Sequence, residues 1–295
     1  MKKEKVKKNL LMSGVVLQII IFSGCGQFLN ASIGSETTSG EQTGAVLETV
    51  QNEITEIDRK TEDGNGIELN LELLSDNIKT DYYSYSEGCL TVFQGGAYVI
   101  TGKTSAVQII VKAYDDEVVH LILDGVELNT DGGPAVYVEQ AGKAVLTLKE
   151  GTVNIISDGA EYASETEACI FSNCDMTING NGSLCVYGYY HDAIRSKDRV
   201  KIVDTSLYVR AKNNGVRGND GVLIENSNVE IECEKTGILT NSEQGYVVIQ
   251  GGSCKITAGE NAVFADNYVS IRDCERDLYS VKEDVKCNGV KEINE

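Results

Sequence analysis

Arg195 and Arg217 stand 22 residues apart, and each has the same neighbours at the same spacing: Asp192 and Asn214 three positions before, Asp198 and Asp220 three after. In a fold that lays positions 22 apart over one another, Asp192 would meet Asn214, and Asp198 would meet Asp220, within about 5 Å. Oxygens gathered in this way suit calcium, which takes about six to eight of them. Asp192, Asp198, Asn214 and Asp220 are therefore the expected metal ligands. Turns also favour Asp and Asn, because these side chains bond their own backbone and tolerate left-handed conformations. The sequence leaves both readings open.

The arginines pose a similar choice. A cationic row can pair with Asp198 and Asp220, or hold a sugar acid without chemistry. An arginine of lowered pKa beside a cation could instead remove the C5 proton of a uronate, the first step of a β-elimination lyase. Arg195 and Arg217 are taken here as carbohydrate-binding residues, and as catalytic residues only under the lyase alternative. Tyr187, Tyr189 and Tyr190 join them, since broad amphipathic rings stack on apolar sugar faces and keep a hydroxyl for hydrogen bonding. Tyr82, Tyr83 and Tyr85 are assigned to covering the end of the domain. His120 lies in an alternating apolar strand and His191 in a turn beside Asp192. No Ser-His-Asp order, paired-Glu framework or phosphate-binding loop has a convincing context.

These residues belong to a repeat. Ala193-Ile194-Arg195-Ser196, Gly215-Val216-Arg217-Gly218 and Gly237-Ile238-Leu239-Thr240 begin 22 residues apart, and Ala262-Val263-Phe264-Ala265 follows 25 later. Ala168-Cys169-Ile170-Phe171 precedes the first by 25, and Ala135-Val136-Tyr137-Val138 comes 33 before that. After each start come two more alternating stretches, as in Val200-Lys201-Ile202 and Ser206-Leu207-Tyr208-Val209. One unit is three short strands and three turns. Such a unit cannot enclose a core alone, but it can stack on its copies. The spacing predicts an all-β, right-handed parallel β-helix of about seven to nine coils with three long parallel sheets. A sandwich of hairpins would not keep register between units 22 residues apart. A leucine-rich horseshoe lacks its Leu/Asn spacing.

The repeat begins near residue 67, and the expected solenoid runs over residues 67–289, with a short tail at 290–295. Residues 25–66 are rich in Ser, Thr, Glu, Gly and Gln and read as a flexible tether. Val46, Leu47, Val50, Ile54 and Ile57 fit a short amphipathic helix within it. Residues 1–24 read as a lipoprotein signal peptide: five lysines, an apolar run from Leu10 to Phe22, then Ser23-Gly24-Cys25. Cys25 is the expected lipidation site, which would place the protein on the extracellular face of a bacterial cell membrane.

The chain of 295 residues carries 45 Asp and Glu against 26 Lys and Arg, a net charge of −19. That excludes nucleic acid as the expected partner, because phosphate binding needs a basic face. Loss of residues 1–24 would remove more basic than acidic charge. Apart from Cys25, eight cysteines remain, several in or beside strands where a small apolar side chain fits an inward column. No pair has Cys-x-x-Cys spacing. Buried free thiols are expected, and Cys274 with Cys287 is the first pair to test for a bridge.

Several segments together resemble the bacterial carbohydrate-binding β-helix proteins related in fold to pectate lyases. They are Gly95-Gly96-Ala97-Tyr98-Val99-Ile100-Thr101-Gly102, the stretch from Val119 to Leu128, the stretch from Ala144 to Gly159, and the Ala/Gly-Ile/Val-x-Ser/Gly-x-Asp units. The resemblance covers roughly residues 70–289. It implies binding of cellulose-like or acidic polysaccharides, with calcium in the coils. His191-Asp192-Ala193, Asn213-Asn214-Gly215 and Lys235-Thr236-Gly237 depart from the acidic pair expected at the start of each family unit. The resulting expectation is a monomeric, membrane-anchored, non-catalytic polysaccharide-binding solenoid. A calcium-assisted pectate-type lyase and a structural adhesin or spacer are the alternatives.

Overall fold

A computed structural model describes residues 53–61, 66–161 and 166–294. The signal peptide, Cys25 and most of the tether lie outside the described residues.

Alternation of apolar and polar residues produces short strands whose Val, Ile and Leu point to one side, and stacking then gives those side chains a common interior. The result is a parallel β-solenoid of about eight turns. Each later coil contributes three strands. In one coil these are Ala168–Ser172 on what we term the first face, Met176–Asn179 on the second and Ser183–Gly188 on the third. The next coil repeats them as Asp192–Ser196, Arg199–Val203 and Ser206–Ala211. Register is kept from coil to coil: Ile194 pairs with Val216, Arg195 with Arg217 and Ser196 with Gly218.

By hydrogen bonding the three faces make two sheets, not three. The first face is an 11-stranded sheet, while the second and third share a 16-stranded one. Two early strands, Gly96–Thr104 and Val118–Asn129, run unbroken from the second face onto the third and join them. Gly102 and Gly125, at φ 90° and 70°, turn the corner inside these strands. In later coils the same corner holds Gly180, Asp204, Asn226, Gly251 and Asp273, all with positive φ. A β-branched residue would be strained there, whereas Gly, Asn and Asp are the types that adopt this conformation.

Inside, each face contributes vertical columns. On the first face Val136, Ile170, Ile194, Val216, Ile238 and Val263 are all fully buried. On the second, Leu146, Ile178, Ile202, Ile224, Ile249 and Ile271 do the same. Each such side chain contributes about 1.5–3 kcal/mol relative to exposure. The N-terminal end is closed by an antiparallel hairpin, in which Tyr83–Ser86 pairs with Cys89–Val92. Tyr83 and Tyr85 pack on the core there, which is the covering role expected of them, while Tyr82 remains exposed.

Two further expectations are corrected. The tail at 290–295 contains a strand, Val290–Ile293, that pairs in parallel with Tyr268–Arg272 of the preceding coil, so the solenoid continues past residue 289. Residues 53–60, assigned to the tether, are docked on the second face around a single helical turn, Glu56–Arg59. Asp58 in that turn is fully buried and bonds Lys143, Thr177 and Lys201. Charge holds this segment in place more than apolar periodicity does, which is why its composition reads as solvated. The cysteines follow the expectation of free thiols: Cys274 and Cys287 are unbridged, as are the other six described ones.

Candidate functional site

On the first face, side chains that point outward form their own column through the coils: Tyr137, Phe171, Arg195, Arg217, Leu239 and Phe264. The two arginines are direct strand neighbours, as their spacing predicts. Together with Ser196, Lys197 and Asn219 they line a groove of about 270 Å³. Phe171 is the floor beside it. The Arg195 guanidinium lies 5.6 Å from the Phe171 ring centroid and Lys197 Nζ lies 5.9 Å away. Tyr137 meets the same ring edge-on at 5.8 Å. The aromatic floor was missed in the sequence because Phe171 and Tyr137 occupy strand positions that read simply as apolar. Their place at the same point of the repeat as Arg195 was the available signal.

Each arginine is held from the corner where the third face turns into the first. Glu167 Oε2 accepts from Arg195 Nη1 at 3.2 Å. Asp192 is fully buried there, and its Oδ2 lies 3.7 Å from Arg217 Nη1. Asp192 Oδ1 accepts from Asn213 Nδ2 at 2.7 Å, from the Asn214 backbone N–H at 3.0 Å and from Asn214 Nδ2 at 2.9 Å. His191 Nδ1 sits 3.2 Å from the same oxygen. Burial alone would raise the Asp192 carboxyl, but His191, the Asn214 N–H and Asn213 outweigh it and lower it below the usual carboxylate value. The hydrogen bond to Asp192 correspondingly raises the His191 imidazole. Burial, with Arg195 nearby, lowers Arg217, an effect that Asp192 and Glu167 oppose. Arg217 Nε donates to Asn241 Oδ1 at 2.9 Å.

This geometry divides the four expected metal ligands. Asp192 and Asn214 do stack, but Asn214 turns its amide N–H toward the carboxylate, and with Asn213 it directs three donors at Oδ1, while Arg217 faces Oδ2 at 3.7 Å. A calcium ion needs acceptors, and at Oδ1 these donors and nearby Arg217 compete with one. Asp198 and Asp220 stack at the other end of the first-face strand, where the Asp220 N–H donates to the Asp198 carbonyl at 3.0 Å. Burial raises both carboxyls; for Asp198 the repulsion of Asp175 and Asp220 adds to it, while for Asp220 Arg199 and Asn219 oppose it. These two retain acceptor oxygens that a cation could use.

The three tyrosines likewise divide, Tyr190 from the other two. Tyr187 points outward from the third face, and its ring stacks on Tyr189 at 6.0 Å and 12°. Tyr190 turns toward His191, with ring centroids 6.4 Å apart, at the corner. None of the three lines the arginine groove. His120 is buried on the second face, as a packed strand residue.

Fold and groove together define a parallel β-solenoid that presents its chemistry on an open outer face. The chain belongs to the family of carbohydrate-binding domain-containing proteins, whose family model matches residues 86–292. A carbohydrate-binding domain-containing protein of Acetivibrio thermocellus is 30% identical over 303 aligned positions, covering 98% of this chain and 96% of that one. Among solved structures, the polysaccharide lyase-like protein from C. thermocellum, determined as a gadolinium derivative, superposes with a TM-score of 0.72. It is 29% identical, and the match covers 78% of this chain and 98% of that one.

Proposed function

We propose that this chain binds an acidic polysaccharide, without cleaving it, along the outer column of the first face. The observation that carries the reading is the register of Arg195 over Arg217 in one groove, in a chain whose net charge is −19. Among the described residues no acid lines that groove. Successive coils are about 4.8 Å apart, so the two guanidiniums offer paired donors to carboxylates carried on one polymer. Calcium, in this reading, bridges the Asp198 and Asp220 carboxylates to the same polymer. Cys25 carries the lipid that keeps the solenoid at the outer surface of the cell membrane, and the chain acts as a monomer.

Affinity electrophoresis of the full chain through polygalacturonate tests this. Retardation is expected for the wild type and is lost in Arg195→Ala/Arg217→Ala; equal retardation of both would refute the groove. Chelation should weaken binding in the wild type and leave Asp198→Ala/Asp220→Ala unaffected. Cys25→Ser should move the protein from the membrane fraction to the medium.

The lowered Arg217 favours one second reading, in which that residue is the base of a lyase. Its ion pair with Asp192 and bond to Asn241 favour a binding role. Absorbance of unsaturated uronate products accumulating on polygalacturonate would decide for the lyase.

A further inference from the structure

On the second face, beyond the docked segment, the outer surface turns apolar. Leu223, Val248 and Ser270 form one outward column, and Tyr246 and Tyr268 form the next. Their strand neighbours Val247, Ile249, Val269 and Ile271 fill the interior, so these five side chains point away from it. They are nonetheless no more than 4% exposed. Among the described residues, Ile54 is the apolar side chain that packs across them. Burying one tyrosine takes about 150–250 Å² out of water, more than a single isoleucine covers.

The docked segment shows where the chain arrives from. Asn179 Nδ2 donates to the Lys60 carbonyl at 3.0 Å, Lys201 pairs with Asp58, and Glu53 accepts from Arg199 Nη1 at 3.0 Å and from the Tyr246 hydroxyl. From Lys60 back to Glu53 the chain therefore climbs from the coil of Asn179 to that of Tyr246, and the same course carries it on toward Tyr268. Residues 45–52, which lie outside the described residues, supply what that course needs. Val46, Leu47 and Val50 precede Ile54 by eight, seven and four positions, a single helical stripe, with Glu48, Thr49 and Asn52 on the other side. Eight residues of helix rise about 12 Å, and two coil steps are about 10 Å, so the stripe reaches from Ile54 across the coil of Tyr268 toward the last one. There Val290, the next outward neighbour of Tyr268, is 45% exposed and marks the far edge of the patch.

We propose that residues 45–52 dock as an amphipathic helix over Leu223, Tyr246, Val248 and Tyr268, so that the chain joins the solenoid at its C-terminal coils and not at its middle. A helix this short, with β-branched Val and Thr in it, is marginal in water, so packing on the patch is what orders it. The tether then departs from the last coils, on a different face from the arginine groove.

Hydrogen exchange of the full chain, followed on peptides covering 45–52, tests the docking. Their amides should exchange about tenfold or more slowly in the wild type than in Val46→Asp/Val50→Asp, which leaves every strand of the solenoid untouched. Hydroxyl-radical labelling reads the patch itself. Tyr246 and Tyr268 should be protected in the wild type and labelled several-fold more in that variant, while buried Tyr98 and exposed Tyr114 keep their labelling. Leu223→Ser/Val248→Ser, on the patch, should release residues 45–52 as well. Wild-type amides that exchange at the free-peptide rate overturn the docking, as does protection that survives Leu223→Ser/Val248→Ser, or a pair of tyrosines that stays covered in Val46→Asp/Val50→Asp. Protection that vanishes on dilution, with a dimer seen in sedimentation, would make a second copy the occupant and overturns it equally. None of these readouts involves a polysaccharide, so failure here leaves the arginine groove standing.

Discussion

The first and second faces each carry a cluster of three cations near the middle of the solenoid, and they use them in opposite ways. On the second face Lys143, Arg199 and Lys201 meet Asp58, Glu53 and Asp175, two of which belong to the docked segment 53–60. Ile54 of that segment packs on an outer apolar cluster of Leu223, Tyr246, Val248 and Tyr268. On the first face Arg195 and Arg217 are held from the side by Glu167 and Asp192, and Lys197 rests over Phe171. The groove between these cations stays open. The lesson is that alternation alone does not make a binding face. A cation row becomes a structural contact where the chain lays its own carboxylates over it, and stays open where they hold it only from the side.

Asp58→Ala is the sharpest way to break this comparison. It leaves Lys143 and Lys201 without their buried partner, an arrangement that costs about 3–5 kcal/mol. Glu167→Ala, on the open face, removes a half-exposed partner and should cost under about 1 kcal/mol. Urea unfolding of the two variants measures the difference; equal costs would mean that segment 53–60 adds nothing to the domain. Burial alone would raise the Asp58 carboxyl, but Lys143, Thr177, Thr55 and Lys201 hold it well below the usual range. A depressed carboxyl contributes stability that is fully present above its unfolded value, about 4, and is lost as pH falls through the folded value. The gap between wild type and Asp58→Ala should therefore be widest near neutral pH and close only in strong acid.

Asp192→Ala comes next. The carboxylate is buried, and its removal strands the Asn214 N–H, two amides and Arg217, so about 2–3 kcal/mol should be lost. Its effect reaches the groove as well, because Arg217 loses its anchor. Asp192→Asn should recover part of the stability, and affinity for polygalacturonate should stay reduced in both variants. Full binding by Asp192→Ala would show that Arg217 is positioned by Asn241 alone.

How far the sequence goes follows the same division. The repeat places the inward Ile and Val of the later coils, and its 22-residue spacing places Arg195 over Arg217 and Asp198 over Asp220, because stacking is a property of the repeat. It does not foresee that Asn213 and Asn214 turn their amide N–H groups to Asp192. Residue type leaves an Asn free to donate or accept, and only the buried carboxylate decides. Tyr187 and Tyr190 are three residues apart and end on different sides of a corner, since a turn lies between them. The docking of residues 53–60 is hidden for another reason. Asp58 and Glu53 look solvated until the opposing lysines and arginine are known, and those lie 85 or more residues away.

Arg195→Ala/Arg217→Ala should separate binding from stability. Arg195 pairs with the half-exposed Glu167, and the buried Asp192 keeps its donors from Asn213 and Asn214 when Arg217 is removed, so the double variant should melt within a few degrees of wild type while polygalacturonate affinity falls about tenfold or more. A large drop in melting temperature would make the first face as structural as the second and would erase the contrast between them.

The smallest effect belongs to Asp198 and Asp220, at the corner between the two faces. Burial raises the Asp198 carboxyl, and Asp175 and Asp220 add like charge. A raised carboxyl binds its proton more tightly in the folded state, so stability falls as pH rises from about 4 through the folded value. In chelator, Asp198→Asn should remove that slope and stabilise the neutral-pH protein by less than about 1 kcal/mol, since the group is partly exposed. Calcium should reverse the order. An ion shared by the two carboxylates stabilises the folded wild type by mass action, while Asp198→Asn, with one carboxylate fewer, gains less. A variant that stays ahead of wild type at every calcium concentration would leave the corner as a site of plain repulsion, and the polymer would then be held on the first face by its arginines alone.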